Sequence, residues 1–262
     1  MIINTLKQKG CSFYFAHRGA SWIEKENSIV SFSRAIELGC EGLELDVQIT
    51  KDKKLIIYHD LYIQKDNKSF YINELTYFQI SKIMKSLNED TPPLLSELLP
   101  IIKQNKNVIF NIEIKSNKIN NYFIIKKLKE YINENQIVNQ CIISSFNYVF
   151  LLQMRLFFRH VLIGFIFGQE RLRKNTMTIN KIMIKILRPT FINPNGEYIS
   201  KKFVNWLIRN QFLIMAYTIN TKTLKNKLKR MGITIFFTDN HFFYSNKSIK
   251  EQITGQSSAD NL

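Results

Sequence analysis

The sequence predicts an α/β protein, specifically a TIM (β/α)8 barrel with a small insertion after the third strand. Three observations carry that expectation. The chain has 262 residues, 45% hydrophobic and 13% aromatic, which suits one large packed barrel. Short strand-like runs are mostly separated by helical runs, the pattern of a parallel sheet built from crossover units. Acidic, basic and metal-ligating side chains stand where several of those runs end, and such barrels keep their chemistry at the C-terminal ends of the strands.

Residues 12–16 form an apolar run that reads as the first strand and delivers His17-Arg18-Gly19. Asn27 or Ser28 then caps a helix whose Ile29, Phe32 and Ile36 recur at helical spacing, with Gly39 as its stop. The second strand, 42–49, alternates Leu43, Leu45, Val47 and Ile49 with Glu44, Asp46 and Gln48. Side chains two apart share a face, so Glu44 and Asp46 lie side by side. The turn Lys51-Asp52-Lys53-Lys54 leads to the third strand, 54–58, which ends at His59. Residues 61–92 are polar around Lys65 to Lys68, close on Pro92-Pro93, and read as an insertion over the top of the fold.

A helix at 94–104 precedes the strand 108–114, in which Asn111, Glu113 and Lys115 share one face and Phe110, Ile112 and Ile114 the other. Helical runs near 119–134 and 147–157 are followed by strands 141–145 and 161–167. Strand 190–193 precedes a helix at 200–210, and strand 212–218 a helix at 221–231. The last strand is 233–238. Residues 1–245 are expected to form a single barrel domain, with 246–262 a partly disordered C-terminal tail. No repeat of solenoid length is present.

The formal net charge is +16, which invites a nucleic-acid or anionic-membrane reading. The lysines accompany abundant Asn and Ile, a compositional bias, and they are scattered; the densest group, Lys222 to Arg230, fits the solvated face of one helix. No nucleic-acid partner is therefore expected, although the field helps to draw in anionic substrates. Three cysteines, Cys11, Cys40 and Cys141, offer no paired spacing, which argues against disulfides and zinc and fits a cytoplasmic protein. No apolar run of signal-peptide length precedes His17. The longest apolar stretch, Tyr148 to Phe167, is broken by Arg155, Arg159 and His160, so stable membrane insertion is not expected. No oligomeric state is assigned.

The strand-end rule gathers His17, Arg18, Glu44, Asp46, His59, Glu113, Lys115, Ser144, Asn220 and Asp239. Glu44, Asp46 and Glu113 converge from neighbouring strands, and three anions at close range call for a cation between them. Hard carboxylate oxygens without Cys or clustered His favour Ca2+ or Mg2+ over zinc. Arg18 and Lys115 add positive charge that a metal does not need and a phosphate does. Two histidines supply acid and base near neutral pH. The set describes metal-assisted phosphoester chemistry. His160 and His241 lack that company and read as structural, Ser144, Asn220 and Asp239 as shaping the pocket, and Phe146, Trp206 and Tyr217 as core aromatics.

These residues carry a family resemblance. His17-Arg18-Gly19, Glu26-Asn27, Glu44-Leu45-Asp46-Val47, Thr50-Lys51-Asp52, His59-Asp60 and Glu113-Ile114-Lys115 resemble the glycerophosphodiester phosphodiesterase (GDPD) family. The likeness continues through Pro93-Leu94, Glu97-Leu98, Ser144-Ser145-Phe146, Tyr217-Thr218-Ile219-Asn220 and Thr238-Asp239. It implies hydrolysis of a small-molecule glycerophosphodiester to glycerol 3-phosphate and an alcohol, within glycerol and lipid metabolism. By the resemblance Glu44, Asp46 and Glu113 hold the divalent metal, and Arg18 and Lys115 contact the phosphate. His59 is assigned the leaving-group proton and His17 deprotonation of the nucleophile, either water or the substrate's own glycerol hydroxyl. Glu26, Asn27, Tyr217 and Asn220 are supporting residues.

The chain departs from the family pattern at Lys25 for Pro, Tyr217 for Trp, Ile63-Gln64-Lys65 for Arg-Thr-Thr and Asn240 for Pro. These bear on substrate preference rather than on the metal or acid–base set. Two rival readings remain: a phospholipase C or lysophospholipase D-like enzyme acting on lipid, and an inactive barrel that binds nucleic acid or anionic membrane.

Overall fold

The computed structural model describes residues 2–8, 12–168 and 177–244. In chain order they form α1 (Ile2–Gln8), β1 (Phe13–Ala16), α2 (Ile29–Glu37), β2 (Gly42–Ile49), β3 (Leu55–Ile57), β4 (Tyr62–Lys65) and β5 (Lys68–Tyr71). Then come α3 (Tyr77–Ser86), α4 (Leu99–Gln104), β6 (Ile109–Ile114), α5 (Tyr122–Glu134), β7 (Cys141–Ser145), α6 (Tyr148–Phe157) and β8 (Leu162–Phe167). The chain continues with α7 (Met177–Leu187), β9 (Phe191–Pro194), α8 (Lys201–Arg209), β10 (Leu213–Ala216), α9 (Lys222–Arg230) and β11 (Ile235–Thr238). The expected tail, 246–262, and Cys11 lie outside the described residues.

Eight parallel staves close into a ring in the order β1, β2, β6, β7, β8, β9, β10, β11, with β11 pairing back onto β1. The (β/α)8 barrel is therefore present. The third strand in chain order is not one of its staves. β3 runs antiparallel to β2, with Val47 opposite Ile57, outside the ring. A connection of five residues reaches only an antiparallel neighbour; a parallel one needs a crossover of roughly a dozen.

The insertion follows β3. β4 and β5 pair as an antiparallel hairpin, and α3 starts at Thr76, whose side chain and that of Gln79 form a reciprocal capping box. Ile56, Ile63, Ile72, Ile80 and Met84 bury one another beneath it. Residues read as irregular from their polarity thus contain three regular elements around a small apolar cluster.

Period-2 alternation divides each stave between two environments. Leu43, Leu45, Phe110, Ile112, Ile143 and Phe165 face outward against Phe32, Leu128, Phe150, Met154 and Phe203 of the helices. Each such burial contributes about 1.5–3 kcal/mol. Phe13, Phe15, Ile109, Ile142, Phe191, Met215, Ile235 and Phe237 form a separate cluster, and Ile2 and Leu6 of α1 belong to it. These side chains fill the lower half of the barrel interior, and α1 plugs its floor. Neither α1 nor α7 is expected from the sequence pattern. Among the described residues no helix is long and apolar enough to cross a membrane.

Candidate active site

The upper half of the interior is polar. β2 presents Glu44 and Asp46, and β6 presents Glu113 directly across from Asp46. One carboxylate oxygen from each of the three lies within 4.8 Å of the others, and all three side chains are buried. Burial and the Asp46 charge push the Glu44 carboxyl up to about 8. Burial also raises Glu113; Lys115 opposes the rise and Asp46 adds to it. Asp46 moves the other way, because Lys115 and Arg18 together outweigh its burial.

Lys115 Nζ lies 3.1 Å from Asp46 Oδ1 and touches Glu113 Oε1. Burial pulls against its charge, but Glu113 and Asp46 hold it ionised. Arg18 Nε lies 3.2 Å from Asp46 Oδ2, while its terminal nitrogen donates to both oxygens of Glu26 at 2.9 Å. Its backbone N–H donates to Glu44 Oε2 at 2.9 Å. That last contact requires a tight turn, with Arg18 at φ 57° and Gly19 at φ 84°. Ser31 Oγ pins the turn by donating to the Arg18 carbonyl at 2.9 Å, and a Cβ on Gly19 would stand 2.1 Å from that same hydroxyl.

The donor set fits a divalent cation. Glu44 Oε1 is buried without a hydrogen-bond partner among the described residues. An unpaired buried carboxylate oxygen is costly, and three carboxylates with hard oxygens suit a divalent cation. Asn27 supports the cluster from behind: its Nδ2 donates to Asp46 Oδ2 at 2.8 Å, and its Oδ1 accepts from the Asp46 amide at 3.2 Å. Ser28, rather than Asn27, caps α2, which leaves the Asn27 carboxamide for this task.

His17, at the end of β1, has its Nδ1 2.7 Å from Asp239 Oδ1 and its Nε2 3.9 Å from Glu44 Oε2. Burial would lower its proton affinity, but the Glu44 charge and the Asp239 hydrogen bond raise it above the ordinary value. Asp239 is itself held by Asn220 Nδ2 at 2.6 Å and by Ser21 Oγ at 3.2 Å. His59 follows β3, with Nδ1 2.7 Å from Asp60 Oδ1.

A cavity of about 140 Å³ opens among these groups, and His17, Arg18, Glu44, His59, Glu113 and Lys115 all line it. Tyr217 lines it too, its hydroxyl donating to the Phe167 carbonyl at 3.0 Å and its ring edge-on to Phe146 at 6.1 Å. Phe146 is also a wall residue, whereas Trp206 stacks on Phe203 in α8. Glu26 holds Arg18 and stands apart from the acid trio. Asn220 acts one step back, through Asp239. The sequence pattern marks Asp239 only as pocket-shaping and gives Asp60, Ser21 and Asn193 no role of their own. For Asp239 the signal was available: closure sets the end of the last stave beside the end of the first.

A family model described as the glycerophosphoryl diester phosphodiesterase family matches residues 17–241. A Bacillus altitudinis protein named glycerophosphodiester phosphodiesterase is 30% identical over 86% of this chain and 93% of its own length. A human protein named lysophospholipase D is 27% identical over 88% of this chain and 77% of its own. Among solved structures, an Oleispira antarctica phosphodiesterase in complex with the product sn-glycerol-3-phosphate superposes with a TM-score of 0.73 at 21% identity, covering 87% of this chain and 93% of that one.

Proposed function

The chain belongs to the glycerophosphoryl diester phosphodiesterase family, and from that premise we propose that it hydrolyses glycerophosphodiesters to glycerol 3-phosphate and an alcohol. The observation that carries the reading is a cluster of three buried carboxylates, two of which line one cavity together with two histidines. Nothing in folding alone requires five such groups together. Glu44, Asp46 and Glu113 would hold Ca2+ or Mg2+. The bound cation supplies Lewis-acid polarisation of the phosphate and offsets charge that develops in the transition state.

The chain's own groups perform the proton transfers. Asp239 accepts the Nδ1–H of His17, which leaves Nε2 with its lone pair as the base for the attacking oxygen, from water or from the substrate's glycerol hydroxyl. As the new P–O bond forms, the bond to the alcohol breaks; where the glycerol hydroxyl attacks, the product is a cyclic phosphate that water then opens to glycerol 3-phosphate. His59, oriented by Asp60, returns a proton to the departing oxygen. Arg18 and Lys115, already fixed by carboxylates, hold the phosphate oxygens. Cys40 and Cys141 are unpaired and buried, which supports a reducing, cytoplasmic setting.

The test is release of glycerol 3-phosphate from glycerophosphocholine with and without chelator. Activity is expected to vanish in chelator and return with Ca2+ or Mg2+. His17→Ala and His59→Ala should fold and lose turnover by about 10²–10⁴-fold; near-full activity in either would remove that residue from the mechanism. A second reading, hydrolysis of a lysophospholipid, is favoured by Trp22 and Ile23, exposed in the loop just after His17. Faster turnover of lysophosphatidylcholine micelles than of glycerophosphocholine would select it.

A further inference from the structure

The floor of the cavity is built from two asparagines on staves separated by β7 and β8. Asn111 on β6 and Asn193 on β9 both line the cavity, both are buried, and the Oδ1 of each has no hydrogen-bond partner among the described residues. Burying a carboxamide oxygen unpaired is costly, and two such oxygens at one site call for a shared explanation.

Their surroundings limit what can pair with them. Below them lies the apolar layer of Phe15, Ile142, Phe191 and Phe237, which has no side-chain donor to offer. Beside Asn111, Ser144 Oγ accepts from Asn111 Nδ2 at 2.9 Å and donates to neither asparagine oxygen. Beside Asn193, β8 contributes Gly164, where a Cβ would come within 3.2 Å of Asn193 Oδ1 and of Ser144 Cβ. The side-chain-free position leaves the carboxamide room at the wall. Donors therefore reach these oxygens only from within the cavity. Glu44 pairs directly beside Asn111 and Glu113 follows it two residues further along β6, so a phosphate held at the acid cluster has this floor within reach of one arm of its ester.

We propose that Asn111 and Asn193 form the polyol subsite, accepting hydrogen bonds from the hydroxyls of the glycerol arm and so selecting glycerol esters over esters of less hydroxylated alcohols. The inference rests on the phosphodiesterase reading and adds to it the groups that recognise the retained half of the substrate. A site built to pair a substrate hydroxyl discriminates strongly against the analogue that lacks it, because the buried partner is then left unpaired.

The test compares glycerophosphocholine with 2-hydroxypropyl phosphocholine. The analogue releases the same alcohol and keeps the hydroxyl adjacent to the phosphoester carbon, so either nucleophile remains open to it; it lacks only the terminal hydroxyl. With choline release as the common readout, the wild type is expected to favour the glycerol ester at least tenfold in kcat/KM. Asn193→Ala should narrow that ratio to within about threefold of unity, and Asn193→Ser, which keeps a short polar group, should fall between.

A wild-type ratio near one overturns the proposal without any variant. An unchanged ratio in Asn193→Ala also overturns it, however far both rates fall, because a purely structural asparagine lowers both substrates alike. If the wild type turned over neither compound, nor any other glycerophosphodiester, the parent reading would fail and the subsite with it.

Discussion

Replacing Asp239 by asparagine should silence His17 without moving it. Asn220 Oδ1 is already committed to the Asp239 amide at 2.9 Å and to the Thr238 hydroxyl at 3.2 Å. Its Nδ2 is thereby aimed at the side chain of residue 239, 2.6 Å from Oδ2. An asparagine there must show its oxygen to that donor and its NH2 to His17 Nδ1. The imidazole answers by carrying its proton on Nε2, the nitrogen required as base. Loss of a hydrogen bond to a charged group costs about 1.5–3 kcal/mol, or roughly ten- to 150-fold, and a reversed tautomer extends the loss toward about 10⁴-fold. Steady-state kinetics on glycerophosphocholine should show this fall in kcat with KM little changed. A variant retaining a third of wild-type kcat would refute the orienting role.

The same pair predicts a stability window, best measured in chelator. His17 binds its proton more tightly folded than at its ordinary 6.5, so its contribution is complete below that pH and is lost as pH rises through the folded value. Asp239 is held below its ordinary 3.8, because hydrogen bonds and the charge of His17 outweigh its burial; its contribution is lost as pH falls through the folded value. The Tm difference between wild type and Asp239→Asn should therefore peak between pH 3.8 and 6.5 and shrink on either side.

Two further outcomes follow from the site's geometry. Glu44 ionises near 4.5 when unfolded and at about 8 when folded, so its ionisation destabilises the metal-free protein as pH climbs between those values. Glu44→Gln should then melt above wild type in chelator, with a gap that widens with pH, and should lose the stabilisation that added Ca2+ confers on wild type; a constant gap contradicts the crowding argument. Gly19→Ala places a Cβ 2.1 Å from Ser31 Oγ and 2.8 Å from the Ser31 carbonyl carbon at a positive φ, which should cost about 2 kcal/mol or more and lower Tm by about 4 °C or more. A melting point within 1 °C of wild type would show that the turn relaxes freely.

Much of this molecule was legible in the sequence because period-2 alternation and the strand-end rule act locally. Glu44 and Asp46 share a face of β2 whatever else the chain does, and Glu113 and Lys115 follow from the same count on β6. What depended on pairing was harder to read. The run 54–58 has the apolar character of a stave, and only the short turn before it excludes a parallel place in the ring. α1 is seven residues long, too short to stand out by periodicity, and its Ile2 and Leu6 acquire meaning only from the open barrel floor they fill. Asp239 lies 222 residues from His17; its role emerges from ring closure, a property of all eight staves together. The two floor asparagines sit in runs that read simply as strand, and their unpaired oxygens are visible only in three dimensions.

Position within the ring sets His59 apart. His17, Glu44, Asp46 and Glu113 are mounted on closed staves, each braced by neighbours on both sides. His59 hangs from β3, which pairs with β2 on one edge and on the other is held only by the single bridge Ile56–Leu94, and the hairpin and α3 are tethered directly behind it. In the proposed mechanism the anchorage of the phosphate and the departure of the alcohol would thus be carried on two mechanically distinct supports. Lengthening, shortening or replacing the peripheral unit can retune which alcohol leaves while the metal-binding ring stays as it is.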